Sequence, residues 1–195
     1  MVLASRARAR AAVCAVALAV AASGALSCGF EDPGSTALRR GMLNLAYPQS
    51  LHVGTAVWQA QLAGALPRDP LAERADLSPD ARATLGRVRV NGLLMRFAAR
   101  LAKPADEAAS LAVVLLDSVM WSRFVVAAGA VHPVIHVAAP EAGDVVVVTD
   151  TPVLEAIAAG SLELATALEL GLIRLYGAPP QVAGVRAWFA ALARS

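Results

Sequence analysis

Long apolar runs, cysteines, repeats and the signatures of hydrolytic chemistry are all scarce in this sequence. After Cys28 no apolar run reaches the roughly 20 residues that a membrane-spanning helix needs. No segment repeats, which excludes a solenoid or a propeller. There is no Gly-x-Ser-x-Gly elbow, no His-Glu-x-x-His helix and no glycine-rich phosphate loop. Gly160 and Gly171 read instead as helix-end glycines. Ser110, Ser118 and Ser122 have no patterned base near them, so no catalytic residue is assigned and the chain is read as a non-enzyme. Asp117, Asp144 and Asp150 fall at strand ends, where turn formation or capping accounts for them.

Basic excess is also missing once the first residues are set aside. The whole chain has a formal net charge of +2, but Arg6, Arg8 and Arg10 precede any acid. Without residues 1–27 the balance is 14 basic against 15 acidic residues, which removes the support for a nucleic-acid partner. Metal ligands are equally sparse. His132 and His136 invite a paired reading, but Pro133 and the β-branched neighbours argue for a strand. There, residues four apart lie about 13 Å from each other, too far for one ion. No metal site and no cofactor is expected.

The N-terminus has the form of an export leader. Three arginines are followed by "AAVCAVALAVAA", Ala11 to Ala22, and then by "SGALSC". That is a basic region, an apolar region too short to span a membrane, and small residues before a cleavage point. Ala25 and Ser27 suit signal peptidase I. The same stretch resembles a bacterial lipobox, with Ser27 and Cys28 in place and Leu26 one position late. Cys14 leaves with the leader, so Cys28 is the one thiol left in an exported chain, and a lone thiol there calls for a modification or a partner. Residues 1–27 are therefore read as signal peptide, 28–35 as a lipidated tether with Cys28 the anchor, and 36–195 as one domain. The resulting address is the cell envelope, as a periplasm-facing lipoprotein, with Gly29 favouring the outer membrane in a Gram-negative host. Its partners are then the membrane, through the lipid anchor, and an apolar small molecule or an envelope protein.

Within the domain, residues 36–104 read as helical. The pattern predicts a helix from Thr36 to Ala46, stopped by Pro48. A second follows, suggested by Leu51, Ala56, Trp58 and Leu62. A third is capped by Ser78, opens with Pro79, and carries Leu85, Val88, Leu93, Leu94, Phe97 and Leu101 as its apolar stripe. Residues 105–195 change character. "SLAVVLLD", "VMWSRFVVA", "VIHVAA" and "VVVVTD" read as four β-branched strands, with a turn over "AAGAVHP". Asp150 or Thr151 caps a helix ending at Gly160. Ser161 caps another ending at Gly171, "LIRLYG" is a fifth strand, and "PPQVAGVRAWFAALA" closes the chain as a helix. The fold class is α+β: N-terminal helices, then a mainly antiparallel five-stranded sheet covered by helices on one face.

The last third, from Gly143 to Leu192, resembles the C-terminal half of a sterol carrier protein 2-like domain. Gly160, Ala167, Gly171, Leu172, Gly177 and Pro179 fall on that plan, while Ala178 replaces its usual acidic or amide residue. The resemblance implies an apolar ligand (a lipid, an isoprenoid or a quinone-like molecule) held between sheet and helices. It implies a lining of Val146, Val148, Leu154, Leu168, Leu172 and Trp188. The alternative is an envelope scaffold or accessory subunit. It would dock a protein through residues 39–62, where Tyr47, His52 and Trp58 mix with apolar neighbours.

Overall fold

The computed structural model describes residues 28–30, 32–101 and 109–192. The expected signal peptide lies outside the described residues. Five strands form one sheet: β1 (Leu111–Leu115), β2 (Met120–Ala127), β3 (Ala130–Val137), β4 (Val145–Thr149) and β5 (Arg174–Tyr176), in the order β3-β2-β1-β4-β5. Neighbours are antiparallel except β1 and β4, which run parallel at the centre. Every residue of β1 and β4 is buried. Their runs "LAVVL" and "VVVVT" do not alternate, as expected of strands covered on both sides.

Among the described residues six α-helices complete the α+β fold: α1 (Thr36–Ala46), α2 (Ser50–Leu62), α3 (Pro79–Arg100), α4 (Thr151–Ala158), α5 (Leu164–Glu169) and α6 (Pro179–Leu192). The register shows that they cover both faces of the sheet. Phe124 pairs with Leu111, and Leu111 with Val145, which puts these three on one face. Phe97 of α3 meets Phe124 edge-on there, at 5.3 Å between ring centroids. Trp121 pairs with Val114, Val114 with Val148, and Tyr176 with Val146, on the opposite face. Tyr47, between α1 and α2, packs against Trp121 and Tyr176 at 5.9 and 5.3 Å. The Tyr176 hydroxyl donates to the Pro48 carbonyl at 2.7 Å. One-sided cover is therefore corrected: α2 lies over the face that the pattern left open.

Helix caps follow the sequence closely at α3 and α4. The Ser78 hydroxyl accepts from the Ala81 amide at 3.2 Å, with Pro79 opening the helix and Arg100 in its last turn. Asp150 caps α4. Gly160, at φ 75°, closes α4 with the Ser161 amide donating back to the Ala156 carbonyl at 2.9 Å. The Ser161 hydroxyl also goes to that carbonyl, at 3.1 Å. Ser161 thus ends α4 rather than capping α5, which begins at Leu164.

Three further differences have local causes. The β2–β3 turn is only Ala128 and Gly129, at φ 51° and 73°, so β3 starts at Ala130 rather than Val134. Two positive φ values make the primed two-residue turn that suits strand twist, without the usual Asn-Gly letters. Next, α2 buries Ser50, Val53 and Val57, while Leu51, Trp58 and Leu62 are exposed. Apolar residues surround this helix, so no single stripe marks its inner side. Leu85 and Val88 of α3 are exposed as well. At that end the buried position is Gly86, where an added Cβ would come within 2.7 Å of the Phe30 ring.

The stretch expected as a tether begins packed against the domain. Cys28 is 2% exposed. The Gly29 amide donates to the Ser118 carbonyl at 2.5 Å. A Cβ at Gly29 would stand 2.7 Å from that oxygen, so glycine permits the close approach. A short 3-10 turn, Pro33–Ser35, then leads into α1.

Candidate functional site

The centre of the sheet sets up the site. β1 and β4 lie side by side, but their chains leave in opposite directions. β1 turns into β2 on one side, and β4 continues through α4 and α5 to β5 on the other. A crevice opens beyond the carboxyl ends of strands that part in this way. Here it becomes a groove of about 580 Å³. Leu51, Gly54, Val57 and Trp58 of α2 form its apolar wall, with Leu116 from the end of β1. Arg40, Thr55, Gln61 and Asp150 supply the polar groups.

Two of those groups are held in place by backbone. Arg40, on α1, donates its Nε to the Leu116 carbonyl and a terminal nitrogen to the Asp117 carbonyl at 2.7 Å. Asp150 uses Oδ1 to accept from the Thr151 amide at 2.9 Å and the Asp117 amide at 3.1 Å. One carboxylate oxygen thus caps α4 and ties it to the turn after β1. The carboxyl of Asp150 is pushed up to about 8, first by burial and then by the neighbouring Asp117 carboxyl, against the opposing effect of those amides. A hydrogen bond between the Asp150 and Asp117 carboxyls adds to the rise, so the proton is held between the two side chains.

Asp117 also lines a second, smaller hollow of about 130 Å³ on the far side of this carboxyl pair, beside Phe30, Arg89 and Glu155. Arg89 there pairs with Asp69 at 2.6 Å and Glu155 at 2.5 Å. Away from both, Arg123 binds Asp144 through two bonds, at 2.7 and 3.0 Å, and Glu141 at 2.7 Å. That network braces β2 against the start of β4.

The expected site residues are divided by the fold. Val146, Val148, Leu154, Leu172 and Trp188 are buried members of the core, and Leu168 is half-buried beside a polar hollow near Arg174 and Arg186. None of the six lines the groove. Of the three residues considered for docking, Trp58 stands in the groove wall and His52 is exposed on α2. Tyr47 is spent on the sheet, and burial pushes its phenol up. His132 is exposed on β3. His136, also exposed, is the extra residue of a bulge at φ 65°. Among the described residues no group of three or more His, Cys, Asp or Glu could hold a metal ion, and no helix is long and apolar enough to cross a membrane.

Arg40, Leu116 and Asp150 escape a reading of the sequence. Asp150 reads correctly as a cap. Its place beside Asp117 needs the parallel pairing of β1 with β4, which no local pattern announces.

No family model and no curated protein matches the chain. Among solved structures, sterol carrier protein 2-like 2 from Aedes aegypti is similar with a TM-score of 0.39 and 20% identity, over 52% of this chain and 96% of that one. A stereoselective inverting sec-alkylsulfatase from Pseudomonas sp. gives 0.34 and 21% identity, over 50% of this chain and 14% of that one. A double mutant of a sec-alkyl sulfatase gives 0.38 and 20% identity, over 68% of this chain and 19% of that one. The first bears the family name that the motif between Gly143 and Leu192 resembles.

Proposed function

We propose that the protein holds an apolar or amphipathic small molecule in the groove between α2 and the carboxyl ends of β1 and β4, without transforming it. The observation that supports this reading is the composition of the groove: one apolar wall, and a few polar groups fixed by backbone bonds at its floor. Ligand sites combine a mostly apolar lining with a small number of placed polar groups in this way. A volume of about 580 Å³ suits a single-chain lipid, an isoprenoid or a quinone-like molecule. Native mass spectrometry of the protein purified without detergent tests it. An excess mass lost on denaturation supports a carrier, whereas a bare chain that also takes up no added lipid rejects one.

We further propose export by residues 1–27 and anchoring through Cys28, in the cell envelope. Since Cys28 is buried in the fold, anchoring requires residues 28–30 to swing off Ser118 and Gly86. The mass of the N-terminal peptide decides this, because a diacylglyceryl thioether on Cys28 supports the anchor and a free thiol after cleavage rejects it. A scaffold role has its own support in α1, where Leu38, Met42 and Leu45 are exposed along one side. Cross-linking from position 45 in cells would capture an envelope protein if this stripe is a docking face, and nothing if it is not.

A further inference from the structure

We infer that Arg174 and Arg186 form a site for a phosphate group, in the hollow where β5, the end of α5 and α6 meet. This site shares no residue with the groove and does not depend on the role proposed there.

The fold brings two cations to one edge of the sheet. Among the described residues β5 is the last strand in the order, so its outer side faces no other strand. Arg174 opens β5, and Arg186 lies on α6, the helix that follows. Both line a hollow of about 220 Å³, together with Glu169 from the end of α5 and Tyr176 from β5. A drug-sized ligand needs about 300 Å³ or more, so the hollow suits an ion or a small ester.

Among the described residues neither arginine makes a salt bridge, and Glu169, although in the hollow, pairs with neither. The Nε of Arg174 is buried without a hydrogen-bond partner. An edge charge that only keeps strands apart would turn its donors to water. A buried donor with no acceptor is costly and calls for a partner.

The available donors set the chemistry of that partner. The amides of Leu170, Gly171, Leu172 and Ile173 are spent on α5 carbonyls, and the Tyr176 hydroxyl on the Pro48 carbonyl. What is left is two guanidinium forks, reaching in from a strand and from a helix. One fork takes two oxygens of an oxyanion in a bidentate pair. A carboxylate has only two oxygens, enough for one fork. A phosphate group offers three or more strong acceptors and can meet both.

Isothermal titration of the purified chain near neutral pH tests this with inorganic phosphate, methyl phosphate and acetate. Phosphate should bind about tenfold tighter than acetate, as a doubly forked ion should, and should raise the melting temperature. Arg174→Gln and Arg186→Gln should each weaken phosphate about tenfold, and Arg174→Lys should recover little, because a point charge supplies no fork. Without phosphate, Arg174→Gln should melt where the unaltered chain does, since the Nε it removes bonds to nothing. Methyl phosphate binding as well as inorganic phosphate supports the site and marks its ligand as a phosphomonoester. Binding of inorganic phosphate alone supports it and marks the free ion. Phosphate held no tighter than acetate, or held equally by both glutamine variants and the unaltered chain, overturns the site. So does a lower melting temperature in Arg174→Gln with phosphate binding retained, which would make Arg174 a structural residue.

Discussion

Asp150→Asn should make the protein more stable in alkali and leave it unchanged in acid. In the folded chain Asp150 keeps its proton to about pH 8, against an ordinary value of 3.8. Between those values the native state binds more protons than the unfolded one. Each unit of rising pH in that window then costs about 1.4 kcal/mol of stability, and the whole window has a ceiling of about 6 kcal/mol. The Asp117 carboxyl shares the titration, and the groove admits water, so about half of that ceiling is expected to be felt. Asparagine caps a helix as well as aspartate does and keeps the oxygen that the Thr151 and Asp117 amides use. Urea denaturation followed by circular dichroism should therefore find the two proteins equal near pH 4. By pH 9 the variant should lead by about 3 kcal/mol, or roughly 6–12 °C in Tm for a domain of this size. A gap that does not change with pH, or one that closes as pH rises, would refute the reasoning.

Three other perturbations probe separate parts of the structure. Arg123→Met should cost about 3–5 kcal/mol in thermal denaturation, because it leaves the buried Asp144 carboxyl without its two bonds; adding Asp144→Leu should recover most of that loss. Trp58→Ala removes an exposed side chain, so stability should shift by no more than about 0.5 kcal/mol, while binding of a dansyl-labelled undecanoyl chain in the groove weakens about tenfold. Gly86→Ala should evict the Phe30 ring and speed hydrogen exchange at the Gly29 amide, with the domain's own melting little changed; unchanged exchange at Gly29 would show that Phe30 is not what holds residues 28–30 down.

Much of the fold was legible because its signals are local. α1 begins at Thr36 and ends at Ala46, where Pro48 stops it, and the Ser78-Pro79-Asp80 start of α3 and the Asp150-Thr151-Pro152 start of α4 are as the letters suggest. The strand cores of β1, β2 and β4 follow their β-branched runs. What was not legible depends on partners distant in sequence. The inner side of α2 is decided by the sheet beneath it, since Leu51 and Trp58 are as apolar as Val53 and Val57. The β2–β3 turn uses Ala128 where Asn would have been readable. The groove is the least legible part. Arg40 on α1, Leu116 after β1 and Asp150 after β4 meet only because β1 and β4 pair in parallel, with two strands of chain between them. Residues chosen by resemblance, such as Val148 and Leu154, are core.

The most direct test of the groove is energy transfer from Trp58 to a dansyl-labelled undecanoyl chain. Trp121 and Trp188 give the background, measured in Trp58→Phe. Saturable transfer at one equivalent of probe is expected, falling clearly to the background in Trp58→Phe although that variant still binds, and binding itself is lost in Thr55→Trp, where an added indole fills the groove from its wall. Binding that survives Thr55→Trp, or transfer as strong in Trp58→Phe as in the unaltered chain, would place the ligand elsewhere.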